Sequence, residues 1–327
     1  MQPPDLPADP IGTEAQPHCY LCGSEGQLLH RNRVDYLFGA PGEWHFKRCV
    51  NADCGLVWLD PRPTPDEIGK AYRQYYTHDE TNAARPSRAV RLLRAVLHGG
   101  SVRLLGLQSE RKRYKRIYLD DVPTGRLLEV GCGNGKRLAR LRALGWSVTG
   151  QEIDPLAAAY VRREKGIDVH LGPLETMPET EQYDVVILSH VIEHVHDPVA
   201  LLSHCHRLLR TGGVLMMLTP NAESLGHRTF GGGWRGLEPP RHLHLFTCRT
   251  LSLLLQKAGF AQPRCRTTVV GAYGIGESSV PGDPAVRQLP ARSIQDVWRG
   301  FWFQWLARWA LLFDKNSGEE CVAIAQK

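Results

Sequence analysis

The sequence lacks the segments that carry a chain into or across a membrane. Its start, Met1-Gln2-Pro3-Pro4-Asp5, has neither the basic residues nor the apolar core of a signal peptide, so we expect a cytoplasmic protein. The net charge of +6 falls well short of what a histone-like binder carries. With 42% hydrophobic and 23% charged residues the composition is globular, and 327 residues suggest two domains or one large decorated domain.

The cysteine count of nine is odd, which disfavours a fully paired disulfide framework. Four of the cysteines form two closely spaced pairs: Cys19, Cys22, Cys49 and Cys54. Each pair is followed by a glycine, Gly23 or Gly55, which can take positive φ while backbone amides face the sulfurs. Two such turns predict a structural zinc site, because four thiolates leave no coordination position open. Four separate reduced thiols and a redox CxxC are the alternatives, although no βαβ pattern surrounds the pair.

The first third of the chain divides into three segments. We expect residues 1–17 to be a disordered leader and residues 18–64 to be the small zinc ribbon. Residues 65–119 predict a helical, basic connector that starts near Pro65 and is broken at Gly99-Gly100. Its basic side chains are Arg85, Arg88, Arg91, Arg94, Arg103, Arg111, Lys112, Arg113, Lys115 and Arg116. They form either a solvated helix face or a surface for a phosphate-bearing substrate, nucleic acid or an anionic membrane.

Residues 126–135, with the sequence RLLEVGCGNG, predict a short buried strand and a glycine turn into a helix. Lys136 stands where a dinucleotide fingerprint needs its third glycine, and no GK[ST] follows, so neither a dinucleotide nor a P-loop site fits. Glu129 lies two residues before the first glycine, where a carboxylate suits a cofactor that carries an ammonium group and a sulfonium. About twenty residues on, Glu152 ends a second strand, where an acid can accept both ribose hydroxyls.

With these features the sequence resembles the class I S-adenosylmethionine-dependent methyltransferases, in particular the ubiquinone-type O-methyltransferases and the sugar C-methyltransferases. Residues 167–170 are similar to strand three of that fold, residues 183–190 to strand four, and residues 208–221 to a helix end, turn and strand five. The resemblance implies an α/β fold: a Rossmann-like, seven-stranded methyltransferase sheet with an antiparallel last strand, beside the small N-terminal zinc ribbon. The methyltransferase domain would span residues 120–327, with an aromatic helical insert at 271–318.

The resemblance also implies which residues bind S-adenosylmethionine. Glu129 and the glycines Gly131, Gly133 and Gly135 would lie near the methionine part of the cofactor. Glu152 would bind the ribose, with Asp154 as a second candidate for that role. The remaining implied positions are Glu175 near the adenine, and the segment 189–194, including Ser189 and His190, along the cofactor and towards the acceptor.

The same segment contains HxxEH, from His190 to His194, which is also the inverted zinc-protease pattern. A peptidase needs both histidines on one helical face, together with a third ligand and a water. Here the first histidine ends an apolar strand and Pro198 follows shortly, so we interpret the segment as part of the cofactor site.

A long loop after strand five contains three glycines in a row and the step His242-Leu243-His244. Ligands bind beyond the carboxyl ends of the strands in open α/β sheets, and this step resembles a histidine-containing segment at the same place in the related methyltransferases. Methyl transfer to oxygen or carbon needs a proton removed, which suits histidine. We therefore predict His242 or His244 as the base, with His190 and His194 as further candidates; the alternative is that these histidines only cap the next helix.

Aromatic residues recur at helical spacing between Trp298 and Phe313, so we predict a helix that is apolar almost all round. It is short for a membrane span and is interrupted by arginine. It packs either on the protein's own core or in a homodimer, or it makes peripheral membrane contact or covers a greasy acceptor.

These features together predict a methyltransferase that modifies oxygen or carbon of a small molecule, of the sugar or secondary-metabolite type. The alternative is a zinc-ribbon-containing RNA methyltransferase, with the basic connector as its footprint. No [DN]PP[YF] tetrad for amino-group methylation follows strand four, and the ribbon has few basic residues among its aromatics. A binding module with an inactive cofactor fold is a third hypothesis, which the intact Glu129 and Glu152 disfavour.

Overall fold

The computed structural model describes residues 9–72, 86–180, 182–281 and 293–327. The amino-terminal part contains five short strands: β1 (Thr13–Glu14), β2 (Gly26–Arg33), β3 (Trp44–Cys49), β4 (Val57–Leu59) and β5 (Arg62–Pro63). Strands β2, β3 and β4 form an antiparallel meander with β3 in the middle. In β3 the buried Trp44 and Phe46 alternate with more exposed residues, which is the period of a strand with one buried face.

Part of the predicted leader is ordered, so the expectation of disorder is wrong for residues 9–17. Thr13 and Glu14 pair with Pro63 and Arg62, and the backbone amide of Gln16 donates to Asp60 at 2.7 Å. This pairing satisfies backbone groups that a free leader would leave to water. Residues 1–8 lie outside the described residues.

The basic connector forms the helices α1 (Arg88–Leu104) and α2 (Gln108–Lys115). The predicted break at Gly99-Gly100 is wrong, because α1 runs through both glycines and ends before Gly106, which has φ +65°. A glycine inside a helix costs only about 1 kcal/mol, which packing can offset; here α1 packs on a later helix of the chain. The predicted helix start at Pro65 gives only a 3-10 turn at Ile68–Tyr72, and its continuation, with Arg85, lies outside the described residues.

The rest of the chain is built around a seven-stranded sheet. Its strands are β6 (Arg126–Val130), β7 (Ser147–Glu152), β8 (Val169–Leu171), β9 (Tyr183–Ser189), β10 (Leu209–Pro220), β12 (Ala261–Thr268) and β13 (Glu320–Gln326). The order across the sheet is β12-β13-β10-β9-β6-β7-β8, and β13 runs antiparallel to both of its neighbours. The predicted Rossmann-like sheet with an antiparallel last strand is therefore confirmed.

Helices connect these strands and cover the sheet, as parallel neighbours require. They are α3 (Lys136–Arg142), α4 (Pro155–Tyr160), α5 (Pro198–Leu208), α6 (Leu225–Phe230), α7 (Cys248–Lys257), α8 (Ala272–Ser278) and α9 (Ile294–Phe313). Side chains at their starts cap several of them: Asp197 accepts from the amide of Ala200, and Thr247 forms a reciprocal capping box with Thr250.

The loop after β10 contains α6 and a short strand, β11 (His244–Leu245), which pairs with β4 of the ribbon. His244 lies opposite Trp58, and the amide of Leu59 donates to the carbonyl of Leu243 at 3.0 Å. The ribbon sheet therefore has four strands in the order β11-β4-β3-β2, one of them from the large domain. The predicted domain boundary at residue 64 therefore does not separate the strands of this sheet, because β11 lies beyond it in the chain.

The aromatic insert consists of α8 and α9, which pack against each other. The predicted helix between Trp298 and Phe313 is present, preceded by a capping box of Ser293 and Asp296. None of the helices in the described part of the chain has the length and apolar character needed to cross a bilayer. The predicted insert also includes residues 282–292, which lie outside the described residues.

Candidate functional site

The four amino-terminal cysteines converge, with all of their sulfurs within 4.8 Å of one another. The Sγ atoms of Cys19 and Cys54 are 3.6 Å apart, and those of Cys22 and Cys49 are 3.4 Å apart. Four sulfurs at about 2.3 Å from one tetrahedral ion would be about 3.8 Å apart, so the cluster has the dimensions of a metal site. The residues after each pair, Gly23 and Gly55, have φ of +74° and +73°, as the predicted turns require.

The glycine turn after β6 has a backbone that L-residues with side chains rarely adopt. Gly131, Gly133 and Gly135 have φ of +63°, +52° and +66°. A Cβ on Gly131 would lie 2.8 Å from Val191, whereas a Cβ on Gly133 would meet nothing within 4 Å. Gly131 therefore permits close packing against the segment after β9, while Gly133 faces open space where a cofactor can lie against the backbone.

Glu129 is buried at the end of β6, with an exposed fraction of only 2%. The Arg137 guanidinium contacts its Oε1 and also donates to the hydroxyl of Ser189 at 2.9 Å. Its Oε2 is buried without a hydrogen-bond partner among the described residues. Burial raises the pKa of Glu129, and Arg137 opposes that rise. A buried carboxylate oxygen without a donor is what an ammonium group of a ligand would satisfy.

Glu152 ends β7, and backbone amides hold its carboxylate. Its Oε2 accepts from Gly133 at 2.7 Å, and its Oε1 accepts from Ile153 at 2.8 Å and Asp154 at 3.1 Å. The carboxylate is thereby aimed across the glycine turn, where the hydroxyls of a ribose would reach it. The carboxylate of Asp154 accepts from the amide of Leu156 and caps α4, and Glu175 lies exposed in a 3-10 turn after β8.

His190 follows β9 directly and has φ +56°, in the left-handed region that non-glycine residues rarely adopt. Its Nδ1 lies 3.3 Å from Glu193 and its Nε2 lies 2.9 Å from Glu320, which also accepts from the Tyr114 hydroxyl. Hydrogen bonds to both carboxylates hold the pKa of His190 well above the usual value, while 41% of its side chain is exposed. His190 is therefore protonated near neutral pH and is a poor base.

His194 and His242 meet in an edge-to-face contact with ring centroids 4.7 Å apart. Nδ1 of His194 lies 3.0 Å from the Tyr72 hydroxyl and 3.1 Å from the carbonyl of Arg241. Nδ1 of His242 lies 2.8 Å from the carbonyl of Gly236, so the hydrogen on Nδ1 leaves Nε2 as the acceptor. We call Tyr72, His194 and His242 the histidine cluster.

Burial lowers the pKa of His242 to about 4, partly offset by Glu238, whose nearer oxygen lies 3.9 Å from Nε2. The imidazole is neutral near pH 7. The segment that carries it is tied to the 3-10 turn Ile192–His194 after β9, because the amide of Leu243 donates to the carbonyl of Glu193 at 2.8 Å. The histidine cluster therefore adjoins the segment 189–194, whose Val191 lies close to Gly131 of the glycine turn.

A buried charge network supports the cluster from the ribbon side. The Arg241 guanidinium, which is fully buried, donates to Asp35 at 2.8 Å, to Glu238 at 3.0 Å and to the carbonyl of Ala71 at 3.0 Å. Asp35 also accepts from three backbone amides of its own loop. The network joins the ribbon, the 3-10 turn that carries Tyr72 and the loop after β10.

His244 lies apart from the histidine cluster although it is only two residues from His242. Its ring packs on Tyr20 at 5.3 Å and on Phe246 at 6.0 Å, against the ribbon. Burial lowers its pKa to about 3, so it is neutral. The structure thus separates the two predicted base candidates, but their catalytic role stays a prediction.

Sequence reasoning missed several residues of this site: Tyr72, Arg137, Glu193, Glu238 and Arg241. A signal existed for Glu193, since an acid in the apolar run 185–195 has to be paired when it is buried. Arg137 is two residues past the last glycine of the turn, where a long side chain can reach back to the strand ends. For Tyr72 and Arg241 no local pattern pointed to the site, because tertiary contacts alone bring them there.

Residues 104–262 match a family model described as a methyltransferase domain. A probable S-adenosylmethionine-dependent methyltransferase of Mycolicibacterium smegmatis is 35% identical over 136 residues, which are 41% of this chain and 51% of that protein. A ubiquinone biosynthesis O-methyltransferase of a Bradyrhizobium strain is 37% identical over 103 residues, 29% of this chain and 40% of that protein. The chain thus spans about half the length of the curated relatives it matches.

Among solved structures, a methyltransferase from Thermotoga maritima, described as a possible histamine N-methyltransferase, is similar with a TM-score of 0.46 and 19% identity. The match covers 72% of this chain and 97% of that one. Similarity at this level supports no statement about the acceptor.

Proposed function

We propose that the chain is an S-adenosylmethionine-dependent methyltransferase that methylates an oxygen or carbon atom of a small molecule, since residues 104–262 match a methyltransferase-domain model. S-adenosylmethionine supplies an electrophilic methyl group on a sulfonium. The observation that carries the proposal is the histidine cluster, which adjoins the segment 189–194 after β9 and contains a neutral imidazole whose Nε2 has no hydrogen-bond partner among the described residues.

The residues around the glycine turn fit this cofactor. The unpartnered Oε2 of Glu129 would accept from the ammonium group, and Glu152, held by three amides, would accept from the ribose hydroxyls. Gly133 leaves the space in which the adenosine would lie. Ser189 and His190 would line the site, and Glu175 would lie towards the adenine, while Asp154 is engaged as a helix cap.

The reaction requires the protein to take one proton from the acceptor. The acceptor hydroxyl or carbon acid would give its proton to Nε2 of His242 while its oxygen or carbon forms the new bond to the methyl carbon, and the bond from that carbon to sulfur would break with its electron pair going to sulfur. His194 and Tyr72 would position the acceptor, and Glu238 would stabilise the imidazolium that forms. His242 is favoured over His244, because His244 packs on Tyr20 in the ribbon, and over His190, because His190 is protonated.

We further propose that the four-cysteine cluster binds zinc as a structural ion. Its support is the 3.4 Å and 3.6 Å sulfur separations and the two positive-φ glycines. A cytoplasmic location stays a prediction. The RNA alternative receives no support from the relatives, whose names refer to ubiquinone or to the cofactor alone.

The test uses labelled S-adenosylmethionine with a panel of hydroxylated sugars and phenols, and calorimetry for cofactor binding. We expect His242→Ala to lower turnover by about 10²- to 10⁴-fold with unchanged cofactor affinity. His244→Ala is the matched control and should keep more activity in folded protein. Turnover by His242→Ala at the wild-type rate would overturn His242 as the base, and absence of cofactor binding would overturn the proposed function. Transfer of label to total RNA instead of the panel would favour the alternative.

A further inference from the structure

Helix α9 exposes large apolar side chains along one side. We call this side the apolar ridge: Trp298, Trp302, Leu306, Trp309, Leu312 and Phe313. Their exposed fractions lie between 41% and 87%. The steps of three or four residues between most of them keep these side chains on one face of the helix. A soluble surface rarely presents such a patch unless something binds to it.

The opposite side of α9 is packed against the domain. Val297, Gly300, Phe303 and Ala307 are buried against the domain, and Gln304 binds the backbone of Tyr273 and Val269. The apolar ridge is therefore separate from the face of α9 that packs on the domain. Helix α9 thus has two apolar sides: one is buried against the domain, and the other is the exposed apolar ridge.

The neighbouring helix α1 combines exposed apolar residues with positive charge. It packs against α9, and the Arg308 guanidinium reaches the carbonyl of Leu105 just after α1. Leu92, Val96 and Leu104 are 62–74% exposed on α1. The helix contains no acidic residue, and Arg88, Arg91 and Arg103 are exposed on it.

We infer that the apolar ridge and α1 form a docking surface for an anionic lipid bilayer. Tryptophan combines a large apolar ring with an N–H donor and prefers the boundary between lipid and water. Arginines beside it would attract anionic headgroups at about 1 kcal/mol each. Since no described helix crosses a bilayer, the contact would be peripheral.

Charge disfavours a second copy of the chain as the partner of this surface. A symmetric dimer through α1 and α9 would bring two such basic helices together, and like charges across an interface weaken association. An anionic lipid surface complements the same charges. The surface lies outside the cofactor site and the histidine cluster, so the inference does not depend on the proposed reaction.

The experiment is flotation of the full chain with vesicles of phosphatidylcholine alone or of phosphatidylcholine with phosphatidylglycerol. We expect binding to the anionic vesicles, weakened by salt. Trp302→Ser with Trp309→Ser should abolish it. Arg91→Gln with Arg103→Gln should weaken it roughly 25-fold, at about fivefold for each arginine. Leu144→Ser, at an exposed leucine of the α3 end, is the matched control and should bind like the wild type.

Circular dichroism and thermal unfolding would show that the variants are folded, as expected for exposed positions. The inference is overturned if the wild type does not float with anionic vesicles, or if the double tryptophan variant floats equally well. It is also overturned if the wild type is a dimer that only the tryptophan variant dissociates and that binds no vesicles.

Discussion

Removal of the zinc ion proposed for the four-cysteine cluster should abolish acceptor methylation while leaving S-adenosylmethionine binding almost intact. We expect this because the ribbon and the large domain share one sheet. β11 comes from the large domain but pairs with β4, which begins three residues after Cys54. His242 lies two residues before the start of this strand, whereas Glu129 and Glu152 lie at the ends of β6 and β7.

The expected magnitude follows from what a structural zinc ion contributes. Such an ion supplies on the order of 10–16 kcal/mol to a small zinc-folded unit, whereas a whole domain is stable by only about 5–15 kcal/mol. The ribbon should therefore lose its fold without the metal. The β4–β11 pairing at His244 and Leu245 and the Leu59–Leu243 hydrogen bond would go with it. Because a displacement of about 1 Å can cost 10²-fold, we expect at least that loss in kcat/KM.

The assay compares Cys19→Ser/Cys54→Ser with the wild type and with Cys265→Ser, a matched loss of a half-buried thiol outside the cluster. Metal content by elemental analysis, cofactor affinity by calorimetry and transfer of labelled methyl are measured on the same samples. Cofactor affinity should change less than about threefold, because none of the residues proposed to bind the cofactor lies in the ribbon. The reasoning is refuted if metal-free protein methylates at the wild-type rate, or if cofactor affinity falls together with turnover.

Two further predictions concern buried groups. Glu129→Gln should weaken S-adenosylmethionine binding roughly 10- to 150-fold, the loss of one charged hydrogen bond, while the surface change Glu164→Gln should not; calorimetry that shows equal affinities would contradict this. Burial lowers the pKa of His227, His242 and His244 to about 4, 4 and 3, so the folded protein holds them neutral. Below the unfolded pKa near 6.5 the unfolded chain binds up to three more protons than the folded protein. The free energy of unfolding therefore falls as the pH drops from 6.5 towards 4, by at most about 4 kcal/mol per pH unit. Urea unfolding should show lower stability at pH 5 than at pH 7, and equal midpoints would argue against neutral buried histidines.

Much of the cofactor site was predictable because its residues lie in one local unit. A strand, a glycine turn and a helix start place Glu129 and the three glycines within seven residues, and Glu152 ends the next strand. Such units have a fixed geometry, since the φ values and the strand period leave few arrangements. The turns of the four-cysteine cluster were predictable for the same reason, as each cysteine pair defines its own turn, while zinc binding stays a prediction.

The acceptor side was harder to predict. Its groups come from Tyr72, His194 and Arg241, which lie in three separated parts of the chain. The pattern His242-Leu243-His244 indicated two equivalent candidates, and only the pairing of β11 with the ribbon distinguishes them. The helix break at Gly99-Gly100 and the disorder of residues 9–17 were wrong because packing and strand pairing outweighed local preference.

The amino-acid sequence by itself determined the order of strands and helices, the glycine turn proposed for the cofactor and the two closely spaced cysteine pairs. These depend on side-chain period, glycine conformation and spacing, all of which act over a few residues. Tertiary structure alone decided that the ribbon and the large domain share a sheet, that Arg241 joins them, and that a face of α9 stays exposed. Those features depend on contacts between residues as many as two hundred positions apart, as for Asp35 and Arg241, whose separation is 206. No local pattern encodes such contacts.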